Sequence, residues 1–354
     1  DSTRAMAGGR DGDRAAFNAV NRGKLGVVLD LATEGGRAAF RRLAATADVL
    51  VENFRPGVMT KLGLDYASLA PACPRLVYAS ISGYGQTGPW ATRGGFDLVA
   101  QGVSGIMSVT GEPGGRPVKA GIPITDLGAG LFALAGILAA LRHRDRTGRG
   151  QYVDTSLADA GLALSVWEAT EYFSGRGVPG PLGSAHRMSA PYQAFQCADG
   201  YLTIGAANQR TFETLAGVLG HPEWTSDPRF VDDTARVQHR DVLAGLIEAR
   251  TRSGTRDTWL ATLDAAGIPC GPIYDYAEAF DAPQARAREM VVEIEHPTLG
   301  HLRTLGTPIK MSETPLDPRG RAPRLGEHTA EVLRTAGCTE EEVAAATVTR
   351  PTLR

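Results

Sequence analysis

Short apolar runs alternate with amphipathic stretches through the first part of the chain. Leu25–Leu31, Val49–Glu52 and Leu76–Ile81 are apolar runs of the length typical of buried strands, and Glu34–Ala47 has the spacing of a helix. Strands that alternate with helices are typical of a parallel sheet covered by helices on both faces. The pattern therefore predicts a doubly wound α/β sheet.

The same alternation continues after a Gly-rich, loop-like stretch at 83–121. Asp126 stands before a long apolar helix and is expected to be its N-cap. Gln151–Ser156 alternates as a strand, and a helix is expected from Leu157 onward. Asp159 therefore falls in the first turn of a helix that directly follows a strand.

The second half of the chain has a different pattern. A Gly/Pro-rich linker at 174–189 precedes a hairpin at 194–204, whose turn is Asp199-Gly200. Amphipathic helices and two further strands then predict a smaller α+β domain, and the tail is expected to be helical. The predicted elements of this half are helices at 209–219, 240–252 and 256–266, and strands at 291–295 and 301–304.

Composition and charge exclude several classes of protein. The 354 residues include 37 Lys and Arg against 39 Asp and Glu, so the net charge of −2 gives no general attraction to nucleic acid or to an anionic membrane. The seven histidines form no metal-binding motif, and the four cysteines form no CxxC pair. The apolar stretch Leu127–Leu141 is shorter than the roughly 20 residues a bilayer needs. We expect a cytoplasmic protein without a metal site and without a nucleic-acid or membrane partner.

Glycine and proline are abundant, with 43 and 21 residues. Part of this excess lies at 83–88, where Gly-Tyr-Gly-Gln-Thr-Gly matches the GxGxxG pattern of dinucleotide sites. Such a site needs a helix that starts inside the motif, but Pro89 and a loop-like sequence follow. The favoured interpretation is a loop at the edge of a pocket.

Asp159 has two interpretations on its pattern alone. An acidic side chain in the first turn of a helix is stabilised by the partial positive charge there, which is a common structural role. The end of a strand in an α/β sheet is also where ligands bind, and a carboxylate held there can act as a nucleophile. The pattern leaves both open.

Motifs spread along nearly the whole chain add a resemblance. They are 51–57 (VENFRPG), 82–89, 147–154, 267–272 (GIPCGP) and 325–329. In combination they resemble the family III CoA-transferases, the group of formyl-CoA transferase and carnitine CoA-transferase. The resemblance implies a Rossmann-like, doubly wound large domain at 1–186 and 307–354, and a smaller α+β domain with its linkers at 187–306. It also implies an interlocked homodimer.

The resemblance also implies a chemistry and assigns the catalytic carboxylate to Asp159. This residue is expected to attack an acyl-CoA thioester and form a mixed anhydride, which the released CoA thiolate converts to an aspartyl-CoA thioester. A small carboxylic acid then takes over the CoA. Acyl-CoA is the substrate, and no tightly bound cofactor is expected. The residues that match CoA-contact positions are Arg4, Leu29, Leu31, Asn53, Phe54, Lys61, Arg93 and Asp97.

Two alternatives stay open beside the transferase. The related α-methylacyl-CoA racemases move an α-proton with a His and an Asp, and the matching positions here are Phe96 and Asp126. Because Phe cannot transfer a proton, the racemase is disfavoured. The other alternative is a non-catalytic CoA-binding protein, since members of the family begin earlier and this chain is expected to lack their first strand and helix.

The substrate pocket is expected to include Phe96, Asp126 and His186. The loop at 175–183 lacks the run of glycines that covers the active site of formyl-CoA transferase. His186 follows this loop and is a candidate to bind the acceptor carboxylate, together with its neighbour Arg187.

Overall fold

The computed structural model describes residues 2–5, 15–297, 300–317 and 320–347, and the structural statements below refer to these residues. Contacts group the chain into two units. Unit 1 consists of 1–79, 137–153 and 274–354, and unit 2 of 80–136 and 154–273. The predicted division into 1–186 with 307–354 and 187–306 stays a prediction.

Helices and strands are distributed over the whole chain. The helices are α1 (Ala15–Val20), α2 (Glu34–Thr46), α3 (Val58–Leu62), α4 (Tyr66–Leu69), α5 (Asp97–Val103), α6 (Ile106–Val109), α7 (Ile124–Thr147), α8 (Leu157–Leu164), α9 (Val166–Phe173), α10 (Gln209–Val218), α11 (Asp233–Gln238), α12 (Arg240–Thr251), α13 (Arg256–Ala265), α14 (Tyr276–Asp281), α15 (Pro283–Ala287), α16 (Thr329–Thr335) and α17 (Glu340–Ala346), with 3-10 helices at Ser2–Ala5 and Pro222–Ser226. The strands are β1 (Val49–Glu52), β2 (Val77–Ser82), β3 (Tyr152–Ser156), β4 (Tyr192–Gln196), β5 (Tyr201–Gly205), β6 (Cys270–Pro272), β7 (Val291–His296) and β8 (Gly300–Leu305).

The strands form three sheets. Their orders are β1-β2-β3, β4-β5-β6 and β7-β8, and the pairs β4-β5, β5-β6 and β7-β8 are antiparallel. The predicted hairpin at 194–204 and the predicted strands at 291–295 and 301–304 are therefore confirmed, and the two strands pair with each other. A mixed α/β fold, the coarse part of the fold prediction, is also confirmed.

The predicted strand at Leu25–Leu31 is wrong. This segment has no ladder partner, because its backbone bonds to the C-terminal part of unit 1 instead: Val28 N donates to the Thr329 hydroxyl at 3.0 Å and Asp30 N to the Ala346 carbonyl at 2.9 Å. These partners are the first residue of α16 and the last residue of α17, so the donors are satisfied without a strand.

Two further expectations need correction. The polar, Gly- and Arg-rich sequence of residues 1–20 predicts a loop, but Ser2–Ala5 and Ala15–Val20 are helical, while 1 and 6–14 lie outside the described residues. Asp126 is not an N-cap, because α7 begins at Ile124 and places Asp126 inside its first turn.

Each unit has its own apolar core. In unit 2, β4 and β5 pack against α10, α12 and α13 around five aromatic rings, Phe195, Phe212, Trp224, Phe230 and Trp259. In unit 1, α17 packs on α2 through a cluster of Ala39, Leu333, Cys338, Val343 and Ala346. A second cluster there consists of Ala44, Met59, Leu64, Leu69, Leu76 and Tyr78.

Helix α7 has several large apolar side chains at its surface. Among the described residues, α7 is the one helix whose length and composition would allow it to cross a membrane. In its most apolar window, 28% of the residues are buried. The prediction that this segment is too short to span a membrane therefore fails. The helix is 24 residues long, because it continues on both sides of the apolar stretch Leu127–Leu141. Five large apolar side chains on it are between 42% and 68% exposed: Leu127, Leu131, Phe132, Leu134 and Leu138.

Candidate active site

Asp159 lies where β3 passes into α8. Ser156, the last residue of β3, caps the helix, and its hydroxyl accepts a hydrogen bond from Asp159 N at 3.0 Å. Asp159 therefore occupies the first turn, as predicted, where the helix carries partial positive charge. The residue is exposed, and within the described part of the chain no group donates a hydrogen bond to its carboxylate.

The glycine motif that follows β2 forms a loop beside this helix start, as predicted. Gly83 and Gly95 are in direct backbone contact, since a Cβ on Gly83 would lie 2.8 Å from the Cα of Gly95. Ala158 N, in the first turn of α8, donates to the Gly83 carbonyl at 3.1 Å. The base of the loop is thereby closed and fixed to the helix that carries Asp159.

Gly85 brings the loop next to two carboxylates. Its φ is 87°, and a Cβ built on it would lie 3.8 Å from Asp154 Oδ2 and 4.0 Å from Asp159 Oδ2. Gln86 N donates to Asp154 Oδ2 at 3.0 Å. Partial burial and the nearby Asp159 carboxylate raise the pKa of Asp154, against the opposing effect of the Gln86 hydrogen bond.

Three helix starts that carry predicted site residues share one packing cluster. Helices α5, α7 and α8 begin near Asp97, Asp126 and Asp159, and they meet through small buried side chains. Gly161 permits this approach, because a Cβ there would lie 2.3 Å from the Ser104 hydroxyl. The cluster consists of Ala100, Ala129, Leu157 and Ala160.

The Asp97 carboxylate is already engaged by the protein. It accepts hydrogen bonds from Gln101 Nε2 at 2.7 Å and from the backbone and hydroxyl of Thr125. Burial alone would raise the pKa of Asp97, but these hydrogen bonds outweigh it and lower the pKa below its ordinary value. Its predicted contact with CoA stays a prediction.

Three predicted site residues, Asp126, Phe96 and Arg93, have exposed side chains. Partial burial of the Asp126 carboxylate, and then the negative charge of Asp97, raise the pKa of Asp126. Phe96 precedes α5 as its N-cap residue and is 77% exposed. The Arg93 guanidinium lies over the Trp90 ring, 4.6 Å from its centroid.

His186 lies in an aromatic group separate from these helix starts. Its ring meets Trp167 and Tyr192 edge-on, and its Nδ1 accepts a hydrogen bond from Met188 N at 3.2 Å. Arg187 pairs with Glu171 at 2.8 Å, and its side chain is 9% exposed. Its suggested role in binding the acceptor stays a prediction.

Six predicted CoA contacts belong to unit 1. Arg4 donates to the Pro323 carbonyl at 2.9 Å, and its guanidinium lies 3.7 Å from the centroid of the Phe17 ring. Leu29 and Leu31 are half-buried and pack against different apolar clusters, so both also support the core.

The other three predicted CoA contacts of unit 1 lie in or after the turn Glu52-Asn53-Phe54. The turn is shaped by the buried Glu52, whose carboxylate accepts a hydrogen bond from Phe54 N at 2.7 Å. The Phe54 side chain is 49% exposed, Asn53 precedes it, and Lys61 lies on α3 shortly after the turn. The turn therefore presents an aromatic ring and a cation to solvent.

The sequence-based reasoning missed the group around Asp159. Ser156 had the position of a helix cap, which was a readable signal. Asp154 and Gln86 carried none, since an acidic residue in a strand and a Gln in a loop are ordinary. No group of three or more His, Cys, Asp or Glu side chains in the described ranges is arranged to hold a metal ion.

The family model for CoA-transferase family III matches residues 1–329. The chain belongs to CoA-transferase family III. The family predicted from the motifs and the assignment as a CoA-transferase are thus confirmed.

Named relatives agree with this membership. The chain is 39% identical over 327 residues to the succinate–glutarate CoA-transferase of Agrobacterium fabrum, covering 92% of this chain and 82% of that protein. It is 42% identical over 322 residues to the acetyl-CoA:oxalate CoA-transferase of Acetobacter aceti, covering 89% and 80%. The crystal structure of a CaiB/BaiF family protein from Brucella suis is similar with a TM-score of 0.81 at 40% identity, covering 95% and 89%.

Proposed function

We propose that this CoA-transferase moves CoA from an acyl-CoA to a small carboxylic acid through covalent intermediates on Asp159. The observation that carries the proposal is the state of the Asp159 carboxylate. It is exposed in the first turn of α8, beside the Gly85 backbone, and receives no hydrogen bond from the described residues. A carboxylate left open in this way is available as a nucleophile.

The first half of the proposed reaction consumes the donor. An Asp159 oxygen attacks the thioester carbonyl carbon, the C–S bond breaks, and CoA leaves as a thiolate. The product is a mixed anhydride between Asp159 and the acyl group. The thiolate then attacks the Asp159 carbonyl carbon, the donor acid leaves as a carboxylate, and Asp159 becomes a CoA thioester.

The second half repeats these steps with the acceptor. The acceptor carboxylate attacks the aspartyl thioester, which releases the thiolate and forms a new anhydride. Attack of the thiolate on the acceptor carbonyl forms the product thioester and frees the Asp159 carboxylate. Each step exchanges one acyl bond for another, so one difficult exchange becomes a series of easier ones.

Local structure favours this chemistry at Asp159. The start of α8 stabilises the ionised carboxylate between turnovers through its partial charge. Gly85 has no side chain, whereas a Cβ there would lie in van der Waals contact with the Asp159 carboxylate, 4.0 Å from Oδ2. The glycine therefore leaves this side of Asp159 free of a side chain.

We propose that the acceptor acid is a small carboxylate and that His186 helps to bind it. Because His186 Nδ1 accepts the Met188 N–H, the neutral ring carries its proton on Nε2, which is a donor for a carboxylate oxygen. The names of relatives in which succinate, glutarate and oxalate occur support a small acid as the acceptor class.

We propose the predicted residues of unit 1 as CoA contacts. The chemistry of these side chains fits, since Arg4 and Lys61 are cations for phosphate and Phe54 offers an exposed ring to a base. Arg93 and Asp97, which belong to unit 2, are retained as predicted CoA contacts. We also keep the predicted division into domains. In this proposal the Rossmann-like large domain at 1–186 and 307–354 binds CoA, and 187–306 forms the smaller domain.

The racemase alternative is less well supported. Phe96 and Asp126 stand where that reaction needs a proton-transferring pair, and a phenyl ring has no exchangeable proton. No ion pair joins Asp126 to a basic side chain of the described residues, and the charge that shifts its pKa is the negative charge of Asp97. The pair therefore cannot remove and return an α-proton.

We also propose that the enzyme is a cytoplasmic homodimer, interlocked as the resemblance implies. The apolar face of α7 supports an association between chains, because exposed Leu and Phe side chains of this number are unfavourable in water. The occupant proposed for this face is a second copy of the chain.

Trapping of the intermediate tests the proposed function. The protein is incubated with acetyl-CoA, succinyl-CoA and other acyl-CoAs, then treated with hydroxylamine or borohydride, and the modified peptide is mapped by mass spectrometry. Modification at Asp159 is expected. Exchange of the α-proton with deuterium from solvent, without an adduct, would instead establish the racemase, and CoA binding with neither signal would establish a non-catalytic protein.

A further inference from the structure

Asp154 and Gln86 form a contact beside Asp159 that the proposed reaction does not use. Gln86 N donates to Asp154 Oδ2 at 3.0 Å, and the residue before it, Gly85, is flanked by the Asp154 and Asp159 carboxylates. Gly85 N in turn donates to the Ser82 hydroxyl at 3.0 Å. Two successive backbone amides are therefore fixed to strands β2 and β3, and the loop has a defined position next to Asp159.

The side chain of Gln86 is the unexplained part of this arrangement. Its Nε2 is buried, and no hydrogen-bond partner for it exists among the described residues. A buried donor without a partner is unfavourable for the folded state, so such groups in a folded protein call for a reason. The gain of a hydrogen bond to a substrate is one such reason, since the donor is then paired when the enzyme works.

The two carboxylates beside Gly85 differ in how they are used. The Asp154 carboxylate accepts a hydrogen bond from the backbone N–H of Gln86, whereas the Asp159 carboxylate receives no hydrogen bond from the described residues. Asp154 is therefore suited to hold the loop, and Asp159 to react. The loop that Asp154 holds carries the unpaired Gln86 carboxamide.

We propose that the Gln86 carboxamide donates a hydrogen bond to the oxygen of the acyl group that reacts at Asp159, and that Asp154 is the positioning residue that holds Gln86 there. The inference rests on the proposed function at Asp159. Negative charge develops on the thioester oxygen as the carboxylate attacks, and a fixed donor stabilises that charge most in the transition state. The contact raises kcat more than it improves binding of the ground state.

Variants at the two positions separate this role from a structural one. Gln86→Ala keeps the backbone N–H that Asp154 holds but removes the donor, and we expect kcat to fall about 100-fold with little change in KM. Asp154→Ala frees the loop and lowers kcat in the same direction. Asp154→Asn restores most of the activity, because its carboxamide oxygen still accepts the Gln86 N–H.

The double variant gives the sharpest result. If Asp154 acts through Gln86, then Asp154→Ala adds nothing in the Gln86→Ala background, and the two losses are not multiplicative. Multiplicative losses, an undiminished kcat in Gln86→Ala, or an Asp154→Asn variant as impaired as Asp154→Ala would overturn the inference. Asp257→Ala is the control, since Asp257 is an exposed Asp of the same unit, 88% accessible.

Trapping distinguishes failure of this inference from failure of the proposed function. If wild-type protein forms no adduct at Asp159, the proposed function is wrong. If wild-type protein forms the adduct and Gln86→Ala forms it at the same rate, only the role of Gln86 is wrong. Thermal unfolding and CoA binding of each variant establish that it is folded, and Gln86→Ala alone suffices as the test if Asp154→Ala does not fold.

Discussion

Asp97 holds the first turn of α7 through Thr125. Its Oδ1 accepts the Thr125 backbone N–H at 3.0 Å and the Thr125 hydroxyl at 2.8 Å, while Oδ2 accepts Gln101 Nε2. One carboxylate thus joins the starts of α5 and α7. It also fixes the backbone at Thr125, directly before Asp126, so Asp97 helps to determine the position of the Asp126 backbone.

We expect Asp97→Ala to lower the free energy of unfolding by about 2 kcal/mol, because the Thr125 backbone N–H loses its acceptor and the buried Thr125 hydroxyl and Gln101 Nε2 keep only longer hydrogen bonds to backbone carbonyls. Urea denaturation measures the change. Asp97→Asn keeps part of the acceptor capacity and should lie between the alanine variant and wild type. Equal stability of Asp97→Ala and wild type would show that these hydrogen bonds contribute nothing.

Asp97 and Asp126 should affect the pH dependence of stability with opposite sign. The lowered pKa of Asp97 stabilises the folded state above the ordinary Asp pKa, and this stabilisation is lost as the pH falls below it. The raised pKa of Asp126 means that the folded state loses stability as the pH rises past the ordinary Asp value. We therefore expect Asp126→Asn to be more stable than wild type at pH 7.

The gain from Asp126→Asn should be below about 1 kcal/mol, since Asp126 is exposed and solvent screens its charge. It should vanish at acidic pH, where the wild-type Asp126 is protonated. Urea denaturation at pH 3 and pH 7 measures both values. A gain of the same size at both pH values would point to a cause other than charge.

The contact between Gly83 and Gly95 predicts that neither position accepts a side chain. A Cβ on Gly95 would lie 2.6 Å from the Cα of Gly83, so alanine at either site forces two backbone segments apart. We expect a loss of about 1–3 kcal/mol in unfolding free energy and a fall in activity, because the loop also holds Gly85 beside Asp159. Gly217→Ala is the control, since it lies in α10 with open space around it.

Removal of the Asp159 carboxylate should separate chemistry from binding. We expect Asp159→Asn to lower the rate of CoA transfer by about 10⁴-fold or more, because an amide is a poor nucleophile at this step. The affinity for CoA, measured by calorimetry, should change little. Asp241→Asn is a matched control in the first turn of α12, and full activity of Asp159→Asn would rule out Asp159 as the nucleophile.

The exposed face of α7 predicts the oligomeric state. If this face packs against a second copy of the chain, Leu131→Glu should convert dimers to monomers in sedimentation experiments, because Leu131 is 68% exposed in the single chain. Val178→Glu, at a residue 84% exposed outside α7, should leave the dimer intact. A wild-type protein that is monomeric at high concentration would contradict the homodimer.

Most elements of the chain could be predicted from local pattern. The hairpin around Asp199-Gly200 and the helix that begins at Arg256 follow from turn residues and apolar spacing, which depend on neighbours in sequence. Leu25–Leu31 has the composition of a strand, but its hydrogen-bond partners lie some 300 residues later. No local pattern contains that information.

The candidate site was predictable in part for the same reason. The place of Asp159 in the first turn of α8 follows from its distance after β3. The partnership of Asp154 with Gln86 joins residues 68 positions apart, and neither has an unusual neighbourhood in sequence. The engagement of Arg187 by Glu171 likewise depends on how α9 packs, which its charge alone does not reveal.

The bond between Gly26 N and His328 Nδ1 spans 302 residues, and it sets an order for folding during synthesis. At ordinary translation rates the ribosome needs roughly 15 to 60 s to make that interval. During this time the segment with Leu29 and Leu31 has emerged without the helices that satisfy its backbone. All residues of unit 2, the last of which is Ile273, emerge before α16 and α17 exist. Unit 2 is therefore free to fold on the ribosome, while the described part of unit 1 is completed only when α17 has been made.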